Sequence, residues 1–155
     1  MKSALFTLLI SVALFSVAEP KSKYLSLKPS KALVLSQGQT EVLVIQGTVA
    51  PGHHIQANPA SSPNLIPTEV KIESKRGVEV GKPQYPQGKP YRLKNSDKDM
   101  MAIEGSFEIK VPVTAALAKG GSYELLGSLR FQACNDTTCF FPEKLSLKIP
   151  VQVKK

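Results

Sequence analysis

The chain has 155 residues, of which 42% are hydrophobic, and a net charge of +8, which suits one domain with a core of its own. Its lysines are scattered, with no aromatic stripe among them, and this favours solvated strand faces over a nucleic-acid-binding surface. The sequence shows no Ser-His-Asp elbow, phosphate-binding loop or paired-carboxylate pattern, so a hydrolase is unsupported.

Residues 1–18 have the composition of a secretory signal peptide. Lys2 gives a positive start, an apolar stretch follows, and Ser16 and Ala18 are small residues at the −3 and −1 positions of a cleavage site. A membrane anchor is the alternative, but the stretch is short for a bilayer span, which needs about 20 apolar residues. We therefore predict export, a mature domain of residues 19–155 and no stable membrane insertion. Cleavage removes only the charge of Lys2, so +8 becomes about +7.

Alternating apolar and polar residues predict about eight β-strands. In chain order these cover residues 24–28, 31–36, 40–49, 66–73, 77–80, 106–113, 123–133 and 144–153. The third is more continuously apolar, which is typical of a central strand buried on both faces, or of one near an end where sheets meet.

The segments between these strands are rich in proline and glycine, notably residues 50–64 and 81–99, and they are predicted as connections. Residues 114–120 are predicted to make one helical turn. The pattern indicates an all-β fold, an immunoglobulin-like β-sandwich of two antiparallel sheets. The chain has no tryptophan and lacks the distant cysteine pair of antibody domains, so this likeness is one of architecture.

The only two cysteines, Cys134 and Cys139, flank the short sequence Asn-Asp-Thr-Thr between two predicted strands. Asn135 and Asp136 favour a turn, so a disulfide across the loop is geometrically easy. Because the predicted export brings them to an oxidising compartment, we expect a bond between them.

Three roles for the pair stay open at this point. As a structural staple, a ring of six residues contributes about 2 kcal/mol by the loop-entropy argument. As a redox-active pair, the two sulfurs re-close quickly after exchange with a partner. As a metal site, the cysteines would join His53 and His54, but the spacing matches no strong zinc pattern and neighbouring residues on a strand point to opposite sides. Met100 and Met101 with the histidines would similarly suit copper, a weaker alternative.

The segment LRFQACNDTTCFFPEKLSLKIPV (129–151) resembles the N-terminal periplasmic domain of the thiol:disulfide interchange protein DsbD. In that family an aromatic residue, glutamine, a small residue and cysteine precede a short loop, and cysteine, an aromatic residue, proline and glutamate follow it. The matching residues here are Phe131, Gln132, Ala133, Cys134, Cys139, Phe140, Pro142 and Glu143. Weaker likenesses occur in the same order across about residues 40–153.

The resemblance implies an immunoglobulin-like fold that exchanges disulfides in the periplasm, without a cofactor or metal. Its partners would be thioredoxin-like redox proteins and disulfide-bearing exported proteins, which would make it a protein-disulfide-reductase-like electron carrier. Cys134 and Cys139 would be the redox pair. We expect Cys139 to form the mixed disulfide and Cys134 to close the ring. The alternative function is a periplasmic binding module whose disulfide is purely structural.

The chain departs from the family pattern at two places near the cysteines. Phe141 replaces the first residue of a proline pair, and Met100 and Met101 stand where the family has an aromatic cap over the disulfide. We predict cap or neighbouring roles for five residues: Met100, Met101, Phe131, Phe140 and Asp99. The sequence ends at Lys155, so we expect a stand-alone domain that meets its reductant and its client in trans.

Overall fold

A computed structural model describes residues 20–155, and the predicted signal peptide lies outside the described residues. The described part consists of strands and turns, with no helix, and hence no helix that could cross a membrane. Its strands are β1 (Leu25–Leu27), β2 (Leu33–Ser36), β3 (Thr40–Val49), β4 (His54–Gln56), β5 (Glu69–Ile72), β6 (Val78–Val80), β7 (Lys89–Tyr91), β8 (Met100–Ile103), β9 (Ser106–Ala115), β10 (Gly121–Phe131), β11 (Ala133–Cys134) and β12 (Glu143–Lys154).

Two four-stranded sheets form the body of the domain, with strand orders β1-β3-β9-β6 and β2-β12-β10-β5. Apolar residues at every second position of β9 and β12 are buried, as are Leu125, Leu129 and Phe131 of β10, in keeping with the period of a half-buried strand. Leu129 and Ile149, for example, are fully buried. The predicted all-β, immunoglobulin-like sandwich is confirmed, with the addition that β2 runs parallel to β12.

Two local predictions are wrong. Of the two alternatives predicted for β3, burial on both faces is wrong: Leu43 and Ile45 are buried, whereas Val42 and Val44 are 49% and 38% exposed. Its apolar outer face reflects the preference of β-branched side chains for strands rather than a second covering layer. Residues 114–120 do not form a helical turn, because Thr114 and Ala115 instead extend β9 and pair with β3 and β6.

A third sheet has the order β11-β4-β8-β7, and its strands β4, β7 and β8 lie within segments predicted as connections or as a cap loop. β4 falls in residues 50–64 and β7 in residues 81–99, and each has three residues. β8 contains both methionines predicted to be a cap. Such short strands carry too few alternating residues to be told from a loop by periodicity. This third sheet carries the cysteine loop.

Packing on the inner face of β10 predicts that replacing either of two leucines of that strand changes the free energy of unfolding by very different amounts. Leu129 is fully buried, whereas Leu126 is 47% exposed. Leu129→Ala is expected to lower the free energy of unfolding by about 2–5 kcal/mol, because it leaves a cavity in the core. Leu126→Ala, the matched control, is expected to cost less than about 1 kcal/mol. Urea unfolding measures both, and equal losses would contradict this assignment of the core face.

Candidate functional site

Cys134 and Cys139 are joined by a disulfide across a tight loop. The side-chain oxygen of Asn135 accepts hydrogen bonds from the backbone N–H groups of Thr137 and Thr138, at 3.0 and 2.8 Å. The backbone N–H of Asn135 donates to the carbonyl of Thr138 at 2.9 Å. These bonds explain why this sequence turns here, since asparagine replaces a backbone acceptor in the turn.

The two sulfur-bearing residues differ in exposure. Cys134 ends β11, pairs with His54 of β4 and is only 1% exposed. Cys139 is half-buried and lines an open groove with Phe140 and Phe141. A partner approaching from solvent therefore meets Cys139 first, while Cys134 lies beneath it.

Gln56, the last residue of β4, is completely buried beside the disulfide. Its side-chain nitrogen, Nε2, lies 3.2 Å from Cys134 Sγ, 3.8 Å from Cys139 Sγ and 3.2 Å from Met100 Sδ. Sequence reasoning missed this residue. Its only signal was a polar side chain two positions after His54 in a segment that was predicted to be a connection.

The predicted neighbours of the disulfide lie in different surroundings, and only some of them contact the cluster around the sulfurs. Met100 is buried and contacts the side chain of Gln56, so it belongs to the same cluster as the sulfurs. Met101 packs against the hydrophobic core, and its backbone N–H donates to Ser61 Oγ at 2.6 Å. Phe131 is fully buried in the core. The cap and neighbouring roles of these residues stay predictions.

Asp99, another predicted neighbour, lies at the surface in an ion pair. Its carboxylate accepts from Arg92 Nε at 2.7 Å. This hydrogen bond and the positive charge of Arg92 lower the pKa of Asp99. Its carboxylate is thus held by the guanidinium rather than free for proton transfer.

Aromatic rings flank the groove beside Cys139. Phe140 stacks on Tyr24 with the ring centres 4.7 Å apart, and His53 packs against both. The Lys23 ammonium lies 4.7 Å from the centre of the Tyr24 ring. Phe141, by contrast, is 90% exposed. An exposed phenylalanine beside a half-buried sulfur is a feature that a protein partner can cover.

A second set of contacts ties the cysteine loop to β7 and the segment after it. The Asp136 carboxylate accepts from Lys94 Nζ at 2.9 Å and from Tyr91 Oη at 3.2 Å. The backbone N–H of Lys94 donates to the Asp136 carbonyl at 2.8 Å. The hydrogen bond from Lys94 is the largest cause that lowers the pKa of Asp136, and the hydrogen bond from Tyr91 is the next largest.

The two histidines contact different partners. His54 stacks on Tyr91, with ring centres 3.7 Å apart, and its Nε2 lies 3.3 Å from a Glu104 oxygen. His53 instead packs on Tyr24. Among residues 20–155, no three His, Cys, Asp or Glu side chains converge as a metal site would require.

The ion pair in the loop predicts a specific pattern of pKa values. We expect Lys94→Ala to raise the pKa of Asp136 toward the ordinary value of about 3.9, because it removes the main stabilising partner of the carboxylate. Arg92→Ala is the matched control and should raise the pKa of Asp99 instead. NMR titration of the carboxyl carbons measures both.

The direction in which the pKa of Asp136 is shifted determines how its stabilisation of the loop depends on pH. The folded pKa of Asp136 lies below the unfolded one, so the contact stabilises the loop above about pH 3.9 and is lost as the pH falls through the folded pKa. An Asp136 pKa that does not respond to Lys94→Ala would contradict the pairing.

Comparison with known proteins identifies a family that matches this sequence. The family described as "Thiol:disulfide interchange protein DsbD, N-terminal" matches residues 23–150. No curated protein matches the chain. Among solved structures, the N-terminal periplasmic domain of ScsB from Proteus mirabilis aligns with a TM-score of 0.62 and 11% identity, over 86% of this chain and 49% of that one. The chain thus spans about half the length of that structure.

A second similar structure is the DsbD N-terminal domain of Neisseria meningitidis in the reduced form. It has a TM-score of 0.48 and 15% identity, with coverage of 75% of this chain and 82% of that one. The likeness to ScsB, at its low identity, supports the fold, and the family match over most of the sequence shows the relationship. The chain belongs to the family of the N-terminal domain of the thiol:disulfide interchange protein DsbD.

Proposed function

We propose that this domain is exported to the periplasm and exchanges disulfides there through Cys134 and Cys139. It would take electrons from a thioredoxin-like reductant and pass them to disulfide-bearing exported proteins. The mature domain would be residues 19–155, after loss of a signal peptide at residues 1–18. Family membership and the presence of the disulfide support a thiol–disulfide exchange domain.

The single observation that carries the mechanism is the unequal exposure of the two cysteines. In disulfide exchange the attacking thiolate must approach the sulfur along the S–S axis, so access decides which sulfur is attacked. Cys139 is half-buried at the edge of a groove, and Cys134 is 1% exposed. This difference supports attack at Cys139 and departure of Cys134.

The exchange then takes two steps. A partner thiolate attacks Cys139 Sγ, a partner–Cys139 bond forms, and the electron pair of the broken bond leaves on Cys134 Sγ. The partner's second thiol, once deprotonated, attacks the partner's own sulfur in the mixed disulfide and releases Cys139. The partner is oxidised to a disulfide, its two protons pass to the cysteines, and the reduced domain repeats these steps in reverse on a client disulfide.

The groove beside Cys139 supports recognition of a protein rather than a small thiol. It is lined by Lys23, Tyr24, Phe140 and the exposed ring of Phe141. Tyrosine is enriched among the residues that dominate binding energy at protein interfaces, and an exposed phenylalanine adds apolar area that a partner can bury. A partner bound here would place its own thiolate next to the reachable sulfur.

Single-cysteine variants test this function and its direction of attack. A thioredoxin-like protein is prepared with its attacking cysteine activated as a mixed disulfide with thionitrobenzoate and its second cysteine replaced. We expect Cys134→Ser to displace thionitrobenzoate and form the protein–protein disulfide through Cys139. Cys139→Ser, whose remaining thiol is buried, should react at least about tenfold more slowly. The matched control is the double variant, which should not react. Absence of a mixed disulfide with either single variant would refute the proposal.

Reduction of the oxidised domain separates exchange from a purely structural bond. The six-residue ring contributes about 2 kcal/mol by the loop-entropy argument, a small part of a typical domain stability of about 5–15 kcal/mol. We therefore expect the reduced domain to stay folded and to unfold in urea with a free energy lower by about 2 kcal/mol. Loss of the fold on reduction would favour the alternative, a binding module with a structural disulfide.

A further inference from the structure

Gln56 and Thr68 are the two buried polar residues within residues 20–155, and Gln56 has the larger side chain. A fully buried carboxamide is costly unless its polar atoms have partners, since each unpaired group loses its hydrogen bonds to water. Within residues 20–155, Gln56 Oε1 is buried and has no hydrogen-bond partner. The contacts of this side chain are instead with sulfur, through its nitrogen.

The orientation of the amide follows from what sulfur can do. A disulfide sulfur and a thioether sulfur carry lone pairs but no hydrogen, so they accept and cannot donate. The amide nitrogen therefore faces them, and the oxygen faces away. Of the two cysteines, Cys134 is nearer to Nε2, at 3.2 Å against 3.8 Å for Cys139.

We propose that Gln56 is a catalytic residue of the exchange reaction: its buried amide N–H donates to Cys134 Sγ and stabilises the thiolate that leaves when Cys139 is attacked. The inference rests on the proposed function for its biological meaning. It adds the residue that makes the buried cysteine a competent leaving group.

The chemistry needs such a donor because of where the negative charge appears. When an external thiolate bonds to Cys139 Sγ, the Cys134–Cys139 bond breaks and its electron pair becomes a thiolate on Cys134. Cys134 is 1% exposed, so water solvates that charge poorly. A hydrogen bond to a charged acceptor is stronger than one to a neutral acceptor, so the contact stabilises the leaving thiolate more than the intact disulfide. That difference is the requirement for catalysis.

Met100 and the unpartnered oxygen fit the same assignment. Met100 Sδ accepts from the same nitrogen at 3.2 Å and is a weak acceptor, so it holds the amide in place without competing strongly with a thiolate. Gln56 Oε1 has no hydrogen-bond partner among residues 20–155, so the contacts of Nε2 with sulfur set the orientation of the amide.

The test uses dithiothreitol as the attacking thiol, so it needs no protein partner. Gln56→Met retains side-chain length and removes the donor. We expect the second-order rate constant for reduction of the oxidised domain to fall at least about tenfold. In a Cys139→Ala background, the pKa of the remaining Cys134 thiol should rise by about one pH unit or more, as followed by the ultraviolet absorbance of the thiolate.

Thr68→Val is the matched control. Thr68 is fully buried, and its hydroxyl donates to the backbone carbonyl of Gln56 at 2.6 Å. Its replacement removes a buried hydrogen bond at the same residue but leaves the amide beside the sulfurs. We expect a lower free energy of unfolding, with the reduction rate and the Cys134 pKa within about twofold and a few tenths of a pH unit of the parent.

Gln56→Leu provides a second variant in case Gln56→Met does not fold. It also removes the donor and buries no polar group, so the same fall in the reduction rate and the same rise in the Cys134 pKa are expected. If both variants keep the parent rate and the parent Cys134 pKa, the inference is wrong. An intact Gln56 effect without any mixed disulfide to a thioredoxin-like protein would instead refute the proposed function alone.

Discussion

The pairing of β4 with β11 on one side and β8 on the other is the constraint on which the site depends. β4 has three residues, yet Cys134 pairs with His54, and Gln56 pairs with Ala102 of β8. Ile55, between them, is completely buried in the core and anchors the strand to the sandwich. Alternation along β4 therefore fixes Ile55 in the core and Gln56 against the sulfurs.

The division between the sandwich and the third sheet fits the proposal that the disulfide opens in exchange while the fold is retained. The long β10–β12 pairing and the alternating inner faces of the large sheets supply the packing that stabilises the domain. The cysteine ring is small and joins neighbours that already pair through the bridge between Cys134 and Cys139. Its opening therefore removes little of what holds the domain together. The contacts of Asp136 with Tyr91 and Lys94 also hold the loop, independently of the sulfurs.

Much of this could be predicted from the sequence, and the rest could not for identifiable reasons. The eight predicted strands are present, and the long ones such as β12 were predictable because they alternate over many residues. The loop between Cys134 and Cys139 was predictable because asparagine in a turn has a local role. Gln56 was not predictable, because its importance comes from residues 44 and 78 positions away. The third sheet was missed because β4 and β7 are short strands within segments whose prolines and glycines indicated connections.

If the domain exchanges disulfides as proposed, the bond between Cys134 and Cys139 is poised to open rather than to lock the fold. The reduction potential of the pair distinguishes these two roles, and it is obtained by equilibrating the domain with dithiol–disulfide buffers of known potential and quantifying the oxidised fraction. We expect a value above about −300 mV, within reach of thioredoxin-like proteins. A value below about −300 mV would mark a structural bond and refute the exchange function.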